Sequence, residues 1–164
     1  LVLSVRGGRS MNITIQKKNS FTVAGRNEQN INSSLCPSIW EKLYEKYSHD
    51  ELASLGEGQS VGVCHDVENP SIINYIAGYI VTDVDKVKSM GLDILEIKEA
   101  EYAIVELTGS VPECIRNGWK YAMEVFFPEH GYVHSGSPDF EYYYEGDVDS
   151  KDYKMELWIP IVKA

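Results

Sequence analysis

The chain has 164 residues, a formal net charge of −10 and a pI near 4.8, with 43% hydrophobic and 24% charged residues. That balance suits one globular domain, or two closely packed halves, able to bury a core without disulfides or a metal. It excludes wholesale disorder and a bilayer-spanning run of about 20 apolar residues. The acidic excess speaks against direct nucleic-acid binding, which rests on Lys and Arg.

Residues 1–10, LVLSVRGGRS, precede Met11 and read as a leader outside the fold, too short and too weakly apolar for a signal peptide. Beyond Met11, β-type runs at Ile13 to Gln16 and Phe21 to Ala24 flank Lys17, Lys18, Asn19 and Ser20, which predicts a bent or bulged first strand. In PSIWEKLYEKY, Ile39, Leu43 and Tyr47 recur every four residues behind Pro37, the pattern of a helix, with Trp40 and Tyr44 as a second stripe. That helix is expected to end in the charged run SHDELASLGEG. SVGVCHD and IINYIAGYIVT then predict two strands paired as a hairpin around VENPS.

The second half repeats this order. LDILEIKEAEYAIVELTG is strand material, and a helix runs from Pro112 to a stop at Pro128 and Gly131, with Ile115, Trp119, Met123 and Phe126 or Phe127 as its apolar face. DFEYYYEGD and YKMELWIPIVK supply two more alternating strands. The expected fold is α+β: one domain over 11–164 built from duplicated strand-helix-strand-strand modules, about 11–84 and 92–164. Its antiparallel sheet carries helices on one face and a ligand channel on the other.

Alternation in MELWIPI assigns Met155, Leu157, Ile159 and Ile161 to the helix-facing core and sends Glu156 and Trp158 to the opposite face. In FEYYYEG aromatic residues occupy both phases, and Glu141 with Tyr143 is preferred beside Glu156 and Trp158. In the earlier strand Ile76 and Ile80 are expected in the core, with Tyr75, Ala77 and Tyr79 facing the same cavity. Carboxylates and ring faces converging in this way suit lipophilic cations and flat apolar molecules. A glutamate on the outer face of a strand is also commonly just solvated, and Trp40 and Trp119 fit ordinary core at least as well as a ligand wall.

The cysteines, Cys36, Cys64 and Cys114, are widely spaced without a CxxC pair, as expected of reduced thiols in a cytoplasmic protein. His49, His65, His130 and His134 are scattered, so neither a metal nor a cofactor is expected, and no nucleophile motif is present.

Taken in order, FTVAG, PSIWEKLYEKY, SVGV, IAGYIV, EYAIVELTG, PDFEYYYEGD and ELWIPI resemble the GyrI-like family over about Phe21 to Val162. That family is similar to the effector-binding domains of AraC-type and MerR-type multidrug regulators. The resemblance implies two modules around a central channel that takes hydrophobic or cationic compounds, with a glutamate from each of the last two strands, by motif match Glu141 and Glu156. No helix-turn-helix segment is read, so a transcriptional role within this chain is not expected.

Three functions follow as expectations. The first is binding or sequestration of a bulky apolar or cationic compound by Glu156, Glu141, Trp158, Tyr143, Tyr75, Tyr79, Trp119 and Trp40. The second is hydrolysis of a reactive, for example cyclopropane-bearing, compound with Glu156 as general base and Tyr75 or Tyr79 as hydrogen-bond donor, an activity the resemblance implies for some members. The third is docking of a basic protein partner such as a gyrase on the acidic surface.

Overall fold

The computed structural model describes residues 2–3, 11–69 and 72–164, with side chains described over 11–66 and 72–164. The chain divides into two compact units, one of residues 19–99 and one of residues 1–18 with 100–164. Most of the expected leader, and the tip of the VENPS turn at residues 70 and 71, lie outside the described residues. Among the described residues no helix is long and apolar enough to cross a membrane.

The unit of residues 19–99 contains strands β3 (Phe21–Asn32), β4 (Ser60–Asn69), β5 (Ile72–Val81) and β6 (Asp93–Ile97). They form an antiparallel sheet in the order β4-β5-β3-β6. The hairpin of β4 and β5 follows the sequence expectation. Helix α1 (Cys36–Lys46) starts with Pro37 in its first turn, where a missing N–H costs nothing, and buries Ile39 and Leu43. Where the sequence suggested only a helix end, α2 (His49–Ala53) forms on a capping box: the Ser48 hydroxyl accepts the Glu51 N–H, and the Glu51 carboxylate accepts the Ser48 N–H. A further helix, α3 (Val84–Met90), went unread in the sequence. Its signals were there: Asp83 accepts the Lys86 N–H at 3.1 Å, and Gly91, at φ 74°, ends the helix in the left-handed conformation. These helices pack Ile39, Leu43, Leu52 and Val87 against Ala24, Tyr75, Ala77, Tyr79 and Val81 of the sheet.

The other unit contains β1 (Val2–Leu3), β2 (Ile13–Lys18), β7 (Ala100–Thr108), β8 (Tyr132–His134), β9 (Asp139–Tyr143) and β10 (Lys154–Lys163). Their order is β1-β2-β7-β10-β9, with β8 on the C-terminal part of β10. Val2 and Leu3 pair with Thr14 and Ile13, so part of the segment set aside as a leader belongs to the sheet. Helix α4 (Glu113–Tyr121) continues through a π-helical turn at Ala122–Phe126 into α5 (Phe127–His130). The expected stop at Pro128 does not occur, because Pro128 falls in the first turn of α5, and Gly131 at φ 71° ends the helix. The wider π turn shifts the helical phase, so Phe126 and Phe127 are buried while Met123, expected on the apolar face, is half exposed.

Each unit runs strand, helix, strand, strand, with the third strand between the other two: β4-β5-β3 and β9-β10-β7. The flanking strands depart from the expected module limits. Ile13–Lys18 pairs with β7, and Asp93–Ile97 pairs with β3, although each directly precedes a different strand in the chain. The expected single bent strand at the start is therefore two strands of different units, separated at Asn19 and Ser20.

Gly25 and Gly78 face one another across β3 and β5. A Cβ on Gly25 would lie 2.0 Å from the Ala77 carbonyl oxygen, and one on Gly78 would lie 2.3 Å from that of Ala24. The obstacle is backbone, which cannot swing aside. Gly25→Ala is expected to lower unfolding free energy by about 1–3 kcal/mol, read as a lower urea midpoint at unchanged slope.

Candidate functional site

Strand β10 builds the site by sorting its side chains. Met155, Leu157, Ile159 and Ile161 enter a core with Cys114, Ile115, Phe126 and Phe127, as alternation predicts. Each such burial is worth about 1.5–3 kcal/mol, so the register is firmly held and Glu156 and Trp158 are turned to the helix-free face. Cross-strand neighbours complete that face. Glu106 and Ile104 of β7 lie opposite Glu156 and Trp158, and Tyr142 and Phe140 of β9 lie opposite the same two residues on the other side.

The rings pack closely. Tyr142 stacks on Trp158 at a centroid distance of 4.8 Å and an interplanar angle of 8°. Tyr102 and Phe140 lie against Trp158 at 5.6 and 6.1 Å, and against one another edge to face at 5.8 Å. The Glu156 carboxylate is fixed at the edge of this cluster: the Tyr144 hydroxyl donates to Oε2 at 2.5 Å and Trp158 Nε1 donates to Oε1 at 2.9 Å. The Asn12 amide donates to Glu106 at 3.2 Å. Lys18 Nζ stands 5.1 Å from the centroid of the Trp158 ring, within cation–π range.

Glu141 and Tyr143 do not join this group. Glu141 lies opposite Leu157 and Tyr143 opposite Met155, so both belong to the helix-facing side, where Tyr143 packs on the core and donates to Glu141 at 2.9 Å. Burial pushes the Cys114 thiol on α4 upward, and the Glu141 charge adds to that shift. Only the pairing register could decide the phase of FEYYYEG, because its aromatic residues fill both. Tyr142, Tyr144, Phe140, Tyr102, Glu106 and Lys18 are the members that sequence reasoning missed. For Tyr102 and Glu106 a signal existed: in EYAIVELTG they alternate with Ala103, Val105 and Leu107, which the core claims.

Tyr75 and Tyr79 also reverse their expected side, since both lie in the helix-facing core of the 19–99 unit. Ile76, expected in that core, is buried on the opposite face across from Val63. Long phenols span the gap to α1 and end in hydrogen bonds that a branched aliphatic side chain cannot make. Trp40 Nε1 donates to the Tyr75 hydroxyl at 2.9 Å, and the Tyr79 hydroxyl meets those of Tyr44 and His49 Nδ1 at 2.6 Å each. Trp40, Tyr75 and Tyr79 are thus brought together as helix-to-sheet ties. Trp119 is half-buried on α4, packed on the core of the other unit and stacked with His134 at 6.2 Å. Among the described residues no group of three or more His, Cys, Asp or Glu is placed to hold a metal ion.

Burial raises three of these phenols. Tyr102 is pushed up to about 12 from an ordinary value near 10, whereas Tyr79 and Tyr144 are raised further, Tyr79 by burial and its bond to Tyr44, Tyr144 by burial and the Glu156 carboxylate. A folded-state value above the unfolded one favours the neutral, folded form below pH 10, and that contribution is lost as pH rises through about 12. Ultraviolet titration of the folded protein is expected to show tyrosinate forming late, and Tyr102→Phe to remove a component near pH 12.

The family description "GyrI-like small molecule binding domain" matches residues 11–162, nearly all of the chain. No curated protein sequence matches significantly. Among solved structures, SAV2435 bound to tetraphenylphosphonium aligns with a TM-score of 0.76 and 20% identity over 92% of this chain and 93% of that one. The EcmrR C-terminal domain aligns at 0.68 and 18% identity over 94% and 99%. A hydrolase encoded by lin2189 from Listeria innocua aligns at 0.60 and 10% identity over 92% and 91%. At these identities the structures share a fold with the chain and nothing finer. The family match over residues 11–162 carries the assignment: the chain belongs to the GyrI-like small molecule binding domain family.

Proposed function

We propose that the helix-free face of the 1–18 and 100–164 unit binds a bulky aromatic cation, with Glu156 as counter-charge and Trp158, Tyr142, Phe140 and Tyr102 as the ring wall. The observation that carries this reading is the Glu156 carboxylate, fixed by Tyr144 and Trp158 at the edge of that ring cluster. A carboxylate with its lone pairs engaged by fixed donors costs little further ordering when a cation arrives. Ring quadrupoles add about 0.5–2 kcal/mol per cation contact. Lys18 supports the reading, because its ammonium already lies over Trp158 as an incoming cation would. Glu106, across from Glu156, adds a second negative charge. The tetraphenylphosphonium held by SAV2435, which shares this fold, is a bulky aromatic cation of the proposed class.

Hydrolysis finds less support. Tyr75 and Tyr79, the donors it called for, are hydrogen-bonded to Trp40, Tyr44 and His49 on the helix side of the other unit. The acidic balance argues against nucleic acid as a direct partner, and the wide spacing of Cys36, Cys64 and Cys114, without a CxxC pair, fits a reducing, cytoplasmic compartment.

Calorimetric titration with tetraphenylphosphonium and with neutral tetraphenylmethane derivatives of similar shape tests the proposal. Glu156→Gln is expected to weaken cation binding by about 1–3 kcal/mol and leave the neutral compound nearly unchanged. Glu141→Gln is expected to change neither, since its side chain lies on the other face of the sheet. Failure of the wild-type protein to bind the phosphonium, or equal losses for cation and neutral compound, would overturn it.

A further inference from the structure

Tyr102 is fully buried, and its ring lies against both Trp158 and Phe140, yet its hydroxyl makes no hydrogen bond among the described residues. Three other phenols around this sheet end on a partner, Tyr144 on Glu156, Tyr143 on Glu141, and Tyr153 on the Tyr144 carbonyl at 2.6 Å, while the Tyr121 hydroxyl on α4, away from the ring cluster, shares the lack of one among the described residues. A buried hydroxyl without a partner forfeits its hydration and gains nothing in return, so a phenylalanine would fill the position at lower cost. A side chain kept under that penalty within a ligand-binding wall points to a partner that the ligand brings.

The chemistry of the face says which kind of partner. Of its other donors, the Tyr144 hydroxyl and Trp158 Nε1 are spent on Glu156, the Asn12 amide is spent on Glu106, and the Lys18 ammonium lies over the Trp158 ring. Donor groups of a ligand find better acceptors in Glu156 and Glu106 than in a phenol oxygen. What the face lacks is an acceptor for the Tyr102 hydrogen, and burial keeps that phenol protonated across the physiological range. We infer that the ligand is an aromatic cation that also carries an oxygen acceptor, an ether, carbonyl or hydroxyl, received by the Tyr102 hydroxyl. The inference rests on the proposed cation site and narrows its ligand class, because a purely hydrocarbon cation leaves the hydroxyl unmet. An acceptor so recognised discriminates by pairing a buried donor, a stronger filter than ring contact alone.

The test compares triphenylphosphonium cations whose fourth ring carries methoxy or acetyl, at the para or meta position, with size-matched ethyl or isopropyl twins. Binding to the wild-type protein and to Tyr102→Phe is measured by calorimetry, with circular dichroism and thermal unfolding to check folding. Losing an unpartnered hydroxyl should leave Tyr102→Phe as stable as wild type or more so. At least one oxygen-bearing cation is expected to bind wild type roughly three- to tenfold more tightly than its hydrocarbon twin, and in Tyr102→Phe that ratio within each pair is expected to fall to about one. Absence of any oxygen preference across the panel, or its survival in Tyr102→Phe, overturns the inference and leaves cation binding standing. If no cation of either kind binds wild type, the cation site itself is overturned, and this inference with it.

Discussion

The site depends on the register of β10, set by four apolar side chains that must be buried together. Met155, Leu157, Ile159 and Ile161 interlock with α4 and the turns that follow it, and a slip of one residue would expose all four while burying a carboxylate. The same lock turns Glu156 and Trp158 to the helix-free face and, through antiparallel pairing, decides which residues of β7 and β9 stand beside them. A polar, charge-bearing face is therefore held in place by an apolar one on the other side of the sheet.

The two units use the same kind of side chain for different ends. In residues 19–99 the tyrosines face the helices, and Tyr75 and Tyr79 tie the sheet to Trp40 on α1, to Tyr44 and to His49. In the other unit aliphatic residues supply the helix contact, which releases Tyr142, Tyr144 and Trp158 to gather around Glu156. The difference is one of cohesion. Where aromatic hydroxyls close the helix–sheet gap they tie helix to sheet, and where Leu and Ile close it Tyr142 and Trp158 stack on the helix-free face.

Electrostatics reinforces this division. Glu106 and Glu156 stand directly opposite on neighbouring strands, a like-charge pair that sheet energetics disfavour. The pair is relieved by donors at each end, Asn12 on Glu106, Tyr144 and Trp158 on Glu156, and by the Lys18 ammonium over the Trp158 ring. In the proposed function an incoming cation would add to that neutralisation.

Much of this was legible in the sequence, for reasons that are local. A period of two in MELWIPI sorts core from face, Pro37 and Gly131 mark helix limits, and the order of elements gives a duplicated α+β fold. Family membership, too, is carried by short segments read in order. What remained undetermined depends on partners distant in the chain. FEYYYEG has an aromatic ring in both phases, so only pairing with β10 could place Tyr142 rather than Tyr143 beside Glu156. Tyr75 and Ile76 are both apolar enough to be core, and the reach of a phenol to α1 settled which faced the helices. The strands Ile13–Lys18 and Asp93–Ile97 find their partners about half the sequence away, because a strand pairs wherever a neighbour leaves its hydrogen bonds open. Local pattern fixes the face a residue prefers, whereas the side chains that share that face are chosen by tertiary register alone.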